Sequence, residues 1–322
     1  MRAAVFTRYG EPAEVLEVRE VARPAPGDAE VLVRVHAASV NDWDWLVLRG
    51  TPFVNRLEFG LRRPKKQILG CDIAGRVEAV GKNVARFAPG DEVFGDLTGT
   101  WGGFAEYVCA PEKALAIKPA GLSFAEAAAI PQAGMLAVQG LIDKGGRRQG
   151  QTLLVNGAGG GVGTFAIQLA GLNGAEATGV DSAEKLETLR SLGYAHVLDY
   201  ALDDFTKTGR GYDLVLDVKT DRPAWSYLRS LKPGGVYVTV GGSLGRLLQV
   251  LALGLVLPLV SRKRMRIVAL KPNKDLDYIS RLVDAGSVRP VVDSRYALSD
   301  IASAMKRFGA AKQRGKVIIT ME

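Results

Sequence analysis

The chain has 322 residues, 47% hydrophobic and 24% charged, with a formal net charge of +8. That composition excludes a disordered or collagen-like chain and leaves room for two domains, each with its own core. Two cysteines, Cys71 and Cys109, exclude a disulfide framework, and two histidines, His36 and His196, are too few for the usual structural zinc site.

Residues 1–6 enter directly into a strand pattern rather than the apolar core and cleavage site of a signal peptide. Through residue 120, short β-branched segments (31–35, 73–80 and 104–108) alternate with turns at Pro24, Pro26, Pro89-Gly90 and Gly102-Gly103. This pattern predicts a partly open β-barrel. Ser123-Phe-Ala-Glu126 is a capping box that opens a helical stretch through Ile142, and the domain crossing falls there.

The segment from Thr152 to Tyr200 is the most informative. Residues 152–156 predict an apolar strand, and Gly157-Ala158-Gly159-Gly160-Gly161-Val162-Gly163 a tight turn. Residues 162–172 predict an amphipathic helix, and 177–180 a second strand closed by Asp181. Such a unit binds a dinucleotide pyrophosphate at a helix N-terminus. Glycines 159–161 are expected to supply positive φ and room for phosphate oxygens. Gly163 lets the helix sit against the first strand, and Asp181 stands where a carboxylate reaches a ribose hydroxyl.

Further strands are expected at 195–199, 212–217, 236–240 and 266–270, with a helix over 223–231 stopped by Lys232-Pro233-Gly234-Gly235. Six strands with crossovers fit a doubly wound parallel sheet. Residues 275–322 read helix, strand, helix, strand and return to the first domain. The expected division is therefore 1–120 with 271–322 for the barrel domain, and 121–270 for the dinucleotide-binding domain. The most apolar run, 247–260, falls short of a membrane span. It reads as a buried or substrate-lining helix; contact with a membrane surface, helped by Arg262, Lys263, Arg264 and Arg266, is the alternative. A soluble, cytoplasmic protein is expected.

Several of these stretches, in order, resemble the zinc-independent quinone oxidoreductases of the medium-chain dehydrogenase/reductase superfamily. They include Met1-Arg-Ala-Ala-Val5 with Tyr9-Gly-Glu-Pro12, residues 37–44, 69–77, 87–94, Gly102-Gly-Phe-Ala-Glu-Tyr107, the turn from Ala158 to Gly163, and Arg314-Gly-Lys-Val-Ile318. The resemblance implies an α/β chain: a GroES-like, partly open β-barrel domain plus a Rossmann domain. The departures are informative too. Asn41 falls where the zinc alcohol dehydrogenases carry a cysteine, Cys71-Asp72 where they carry histidine and glutamate, and Pro131-Gln132 where a third ligand would stand. The four-cysteine lobe is missing near residues 96–103. No metal is expected, since a catalytic zinc needs three protein ligands.

The resemblance also implies NAD(P)H-dependent hydride transfer to a quinone or an α,β-unsaturated carbonyl. It places Asn41 and Asp44 beside the nicotinamide as catalytic residues, Asn41 to hydrogen-bond the substrate carbonyl or a water and Asp44 to orient it. Gln132, Gly134, Gly241 and Gly242 resemble segments that approach the nicotinamide, while Leu136 stands where the family often has threonine. Ser182, Lys185, Tyr200 and Lys316 resemble contacts to a 2′-phosphate or adenosine and favour NADPH. Asp181 favours NADH, because a carboxylate repels a 2′-phosphate. NADPH is the expected coenzyme and NADH the alternative. The expected partners are a hydrophobic small molecule and a second copy paired through strand 266–270, with no nucleic acid and no stable membrane insertion. Two other readings stay open: an alcohol dehydrogenase-like enzyme, and a non-catalytic nucleotide-binding protein that contacts RNA, membrane or another protein. The basic balance motivates the last; no aromatic-interleaved basic groove accompanies it.

Overall fold

The computed structural model describes residues 1–146 and 148–321. The chain forms two compact units, the first from Met1–Gln132, Pro272–Asp284 and Pro290–Glu322, the second from Ala133–Lys271 and Ala285–Arg289. The contact boundary thus lies at Gln132, inside the helix Pro131–Val138, rather than at residue 120.

In the first unit a seven-stranded sheet runs Val292–Ala297, Lys316–Thr320, Glu30–Ser39, Asp72–Val80, Glu92–Asp96 and Ala116–Ile117, with Tyr107–Pro111 also on Glu30–Ser39. All pairs are antiparallel except that of Val292–Ala297 with Lys316–Thr320. Alternation on the long central strands turns Val31, Val33, Val35, Ile73 and Val77 into a buried core with Phe104, Val317 and Ile319. The helix Ile301–Gly309 adds Ile301, Ala304 and Met305, spaced three and four apart on one face. The strand expected over 104–108 runs Tyr107–Pro111, with only an isolated bridge from Ala105 to Ala3.

The second unit is built on six parallel strands in the order His196–Asp199, Glu176–Asp181, Thr152–Asn156, Tyr212–Asp217, Leu231–Thr239, Arg264–Ile267. In sequence these are the third, second, first, fourth, fifth and sixth strands, the order of a dinucleotide-binding sheet. The apolar runs of the four inner strands are buried on both faces, as parallel strands covered by helices require, while the two edge strands are half-buried.

Some local expectations need correction. The helix expected from Ser123 to Ile142 is broken: the capping box of Ser123 and Glu126 forms, but Phe124–Ala128 ends before Pro131, whose ring nitrogen has no hydrogen to give. A wider π-helical stretch, Gln139–Lys144, closes the second piece. Residues Ala224–Ser230 make a 3₁₀ helix, and Lys232-Pro233-Gly234-Gly235 lies within the strand Leu231–Thr239, at a register shift against Tyr212–Asp217. The sixth strand sits slightly earlier than expected, at Arg264–Ile267, on the sheet edge. Residues 247–260 do form a helix, Leu244–Val260, but most of its leucines face outward rather than into a core or a pocket.

Candidate coenzyme and catalytic sites

Four strands of the second unit end together: Asn156 pairs in register with Val180 and Asp217, and Asp217 with Thr239. A crevice at the carboxyl ends of such strands is where a doubly wound sheet takes its ligand. The row is held by buried hydrogen bonds. Asn156 Nδ2 donates to Asp217 Oδ1 at 2.9 Å, and Tyr237 Oη donates to Asp217 Oδ2 at 2.6 Å. Burial still holds the Asp217 carboxyl above its ordinary value.

The chain leaves Asn156 through the glycine turn and enters the helix Gly161–Gly171. Positive φ is needed at Gly157 (+85°), not at glycines 159–161, so the expected conformational role of those three is corrected. Their smallness is a matter of room. A Cβ on Gly163 would lie 2.2 Å from the Ala158 carbonyl oxygen, whereas one on Gly160 would meet nothing nearer than 3.6 Å. Gly163 therefore lets the first turn of the helix pack against the backbone of the glycine turn at Ala158, and Gly160 leaves open the space before the helix N-terminus. Unpaired N–H groups and the helix dipole favour an anion there, so the turn fits a pyrophosphate. Ala158 and Val162 complete the turn, Ala158 fully buried.

Asp181 does more than wait for a ribose. Its Oδ2 accepts the Gly159 N–H at 2.8 Å and its Oδ1 the Ser182 N–H at 2.9 Å, with Lys185 Nζ 3.0 Å from Oδ1. The side chains of Asp181 and Lys185 are only 6% and 3% exposed, so Lys185 largely neutralises the carboxylate. The Ser182 side chain makes no cap bond to the helical turn that follows it. Tyr200 is half exposed, and its N–H donates to the Asp181 carbonyl at 3.2 Å. Gly241 accepts from the hydroxyls of Thr239 and Thr220, and Gly242 follows at φ +128°. Gly134 is buried in the helix Pro131–Val138.

The first unit holds a separate polar cluster, and the sheet register builds it. Ser39, Asp72 and Asp96 are directly opposite one another on three adjacent strands. Asn41 follows the first of these strands, and Lys316 opens the strand on its other side. Lys316 Nζ, 5% exposed as a residue, donates to Asn41 Oδ1 at 2.5 Å and to the Val40 carbonyl at 3.2 Å, and lies 3.5 Å from Asp72 Oδ2. Asp72, fully buried, also accepts from Ser39 Oγ, Asn41 Nδ2 and the Gln132 N–H. Gln132 Nε2 donates to Thr98 Oγ1, which itself donates to Asp96 Oδ1. Desolvation pushes the carboxyls of Asp72 and Asp96 up, Asp96 to about 6.

One expectation changes here. Lys316, expected beside a 2′-phosphate, is committed within the first unit to Asn41, Val40 and Asp72. Asp44 holds Asn41 through a capping box at the start of the helix Asp42–Arg49: its two oxygens accept the backbone N–H groups of Asn41 and Gly70, each at 2.9 Å. It is a buried clamp on the loop, and desolvation raises its carboxyl to about 7. Ser39 and Asp96 are not among the residues the sequence points to, and Asp72 is marked there only as the replacement of a zinc ligand. Their cue, polar residues at strand ends, with Ser39 and Asp96 closing their strands and Asp72 opening its own, only becomes a site once the strands are paired. Among the described residues no group of three or more His, Cys, Asp or Glu side chains could hold a metal ion. The positions expected to replace zinc ligands, Asn41, Asp72 and Gln132, instead gather with the ammonium of Lys316.

Comparison with known proteins adds to this geometry. Residues 27–120 match the family model of the alcohol dehydrogenase GroES-like domain, and residues 192–319 that of the zinc-binding dehydrogenases. The chain is 31% identical to a chloroplastic quinone oxidoreductase of Triphysaria versicolor, over 99% of its own length and 98% of the relative's. It is 30% identical to a chloroplastic NADPH-dependent alkenal/one oxidoreductase of Arabidopsis thaliana, over 99% of its length and 79% of the relative's. The solved quinone oxidoreductase of Coxiella burnetii superposes with a TM-score of 0.87 at 28% identity, covering 100% of this chain and 99% of that one.

Proposed function

The chain belongs to the medium-chain dehydrogenase/reductase superfamily as a quinone oxidoreductase-like member, and from that membership we propose that it oxidises NADPH to reduce a hydrophobic quinone or α,β-unsaturated carbonyl without zinc. The observation that carries this reading is the glycine turn, open at Gly160 before a helix N-terminus, in a chain similar over nearly its whole length to quinone and alkenal/one oxidoreductases. A bound nicotinamide coenzyme supplies hydride from C4 of its ring. The protein supplies positioning and charge. Asn41, with its oxygen engaged by Lys316 and its amide by Asp72, fixes the Lys316 ammonium in place, and that ammonium offsets the negative charge that appears on the acceptor oxygen.

The state of Asp181 supports NADPH over NADH. Its charge is met by Lys185 and its oxygens are taken by two backbone amides, which weakens both its repulsion of a 2′-phosphate and its hold on a ribose hydroxyl. Ser182 and Tyr200 stand beside it. The edge position of strand Arg264–Ile267 supports a homodimer formed by edge pairing, which light scattering tests.

Steady-state oxidation of NADPH and NADH against quinones, enones and simple alcohols, with metal content measured in parallel, tests the whole reading. Turnover is expected with quinones or enones, not alcohols, with a higher kcat/KM for NADPH and no stoichiometric zinc. Lys185→Met should lower the NADPH preference by about tenfold, because it leaves the Asp181 charge uncompensated. Alcohol oxidation that depends on bound zinc would favour the alcohol dehydrogenase reading.

A further inference from the structure

The helix Leu244–Val260 is apolar on both sides, yet only one side is covered. Val250 and Leu257 are buried, and Gly254 lets the helix approach the Met265 carbonyl, where a Cβ would lie 2.9 Å from the oxygen. The outward side carries Leu244, Leu248, Leu251, Leu255, Val256, Leu259 and Val260, every one more than half exposed. Spacings of three and four place Leu244, Leu248, Leu251, Leu255 and Leu259 on a single stripe. Trp225, 55% exposed, lies in the 3₁₀ turn Ala224–Ser230 that packs beside this helix. Monomeric proteins rarely leave so continuous an apolar surface in water.

Charge marks the same region. Between residues 222 and 274 there are ten lysines and arginines and no aspartate or glutamate; Arg222, Lys232 and Lys274 are paired with Asp204, Asp213 and Asp275 from outside that stretch. Arg262 and Arg264, just past the helix, are exposed. No helix among the described residues is long and apolar enough to cross a membrane. A helix about 25 Å long with an apolar outer stripe and cations at its end is suited to lie in the plane of a bilayer, leucines among the acyl chains and guanidinium groups among the phosphates. The helix itself carries no aspartate or glutamate and Arg262 and Arg264 at its end are exposed, so the charge on this face complements an anionic headgroup, while a second copy is left to the backbone edge of Arg264–Ile267.

We propose that the outer face of Leu244–Val260, with Arg262 and Arg264, docks the protein reversibly on an anionic lipid surface. Co-sedimentation with vesicles of phosphatidylcholine, with and without phosphatidylglycerol, tests it. The protein should sediment with the phosphatidylglycerol vesicles and be released by raised salt. Both the double variant Leu255→Glu with Leu259→Glu and the double variant Arg262→Gln with Arg264→Gln should lower the partition coefficient by about tenfold. All four positions are exposed, so circular dichroism and the melting temperature should match the parent protein. Should one variant fail to fold, the other still decides. No binding to phosphatidylglycerol vesicles, or binding that neither variant weakens, overturns the proposal. So does light scattering showing that the leucine variant only dissociates a larger assembly, since a second copy would then cover the face.

Discussion

Lys316 is the residue on which the first unit's polar cluster turns, because a buried carboxylate beside it has little other positive charge to meet. Removing one partner of such a pair leaves the other charge desolvated, which costs far more than the pair is worth on balance. Lys316→Met is therefore expected to lower kcat by about 10²-fold through loss of charge at the acceptor oxygen, with little change in the KM for NADPH. Lys316→Arg should recover part of the rate, and the pH profile of kcat should change in the Met variant as Asp72 takes up a proton. An unchanged kcat and profile in Lys316→Met would remove this lysine from the chemistry. At this scale the sequence was partly legible. Asn41 could be picked out through the resemblance, but its neighbours could not: Lys316 lies 275 residues away and Asp72 31. Only strand pairing brings Ser39, Asp72 and Asp96 into one row, and pairing across such separations leaves no local mark.

At the scale of elements, the two glycines of the coenzyme turn separate packing from binding. Gly163→Ala forces a methyl against the Ala158 carbonyl, so the melting temperature should fall, with a loss of about 1–3 kcal/mol. Gly160→Ala meets open space at an extended φ of −82° and should leave stability nearly unchanged while weakening coenzyme binding, as calorimetric titration would measure. Equal effects of the two substitutions on stability would contradict this division. The parallel strands were easy to read because buried strands are short apolar runs bounded by turn residues. The helix Leu244–Val260 was misread for the complementary reason: an apolar sequence signals burial, and nothing in the residue pattern shows which side of an all-apolar helix lacks a neighbour. The break at Pro131 was visible in the sequence but outweighed by the helical residues around it.

For the whole molecule, buried acids set a pH dependence opposite to the usual one. Asp44 titrates at about 7 and Asp96 at about 6 when folded, against 3.8 for an ordinary aspartate, because burial disfavours their charge. Folding then binds protons across that interval. The stability these groups contribute is fully present below about pH 4 and is lost as pH rises through 6 and 7. Asp204, held down to about 2 chiefly by its hydrogen bond from Thr206, and Asp213, held below its ordinary value by bonds from Thr152 and Lys232 against its desolvation, act the other way and lose stability only in stronger acid. The melting temperature is expected to be higher near pH 5 than near pH 8, and Asp44→Asn should flatten the slope; a flat parent profile would contradict it. The order of synthesis is another matter for the chain as a whole. Strand Lys316–Thr320 completes a sheet whose other long strands emerge from the ribosome far earlier, with all of Ala133–Lys271 in between. Nascent Asn41 and Asp72 must wait for their lysine while the intervening nucleotide-binding region is translated, and until then the strand Glu30–Ser39 keeps an unpaired edge where Lys316–Thr320 will lie.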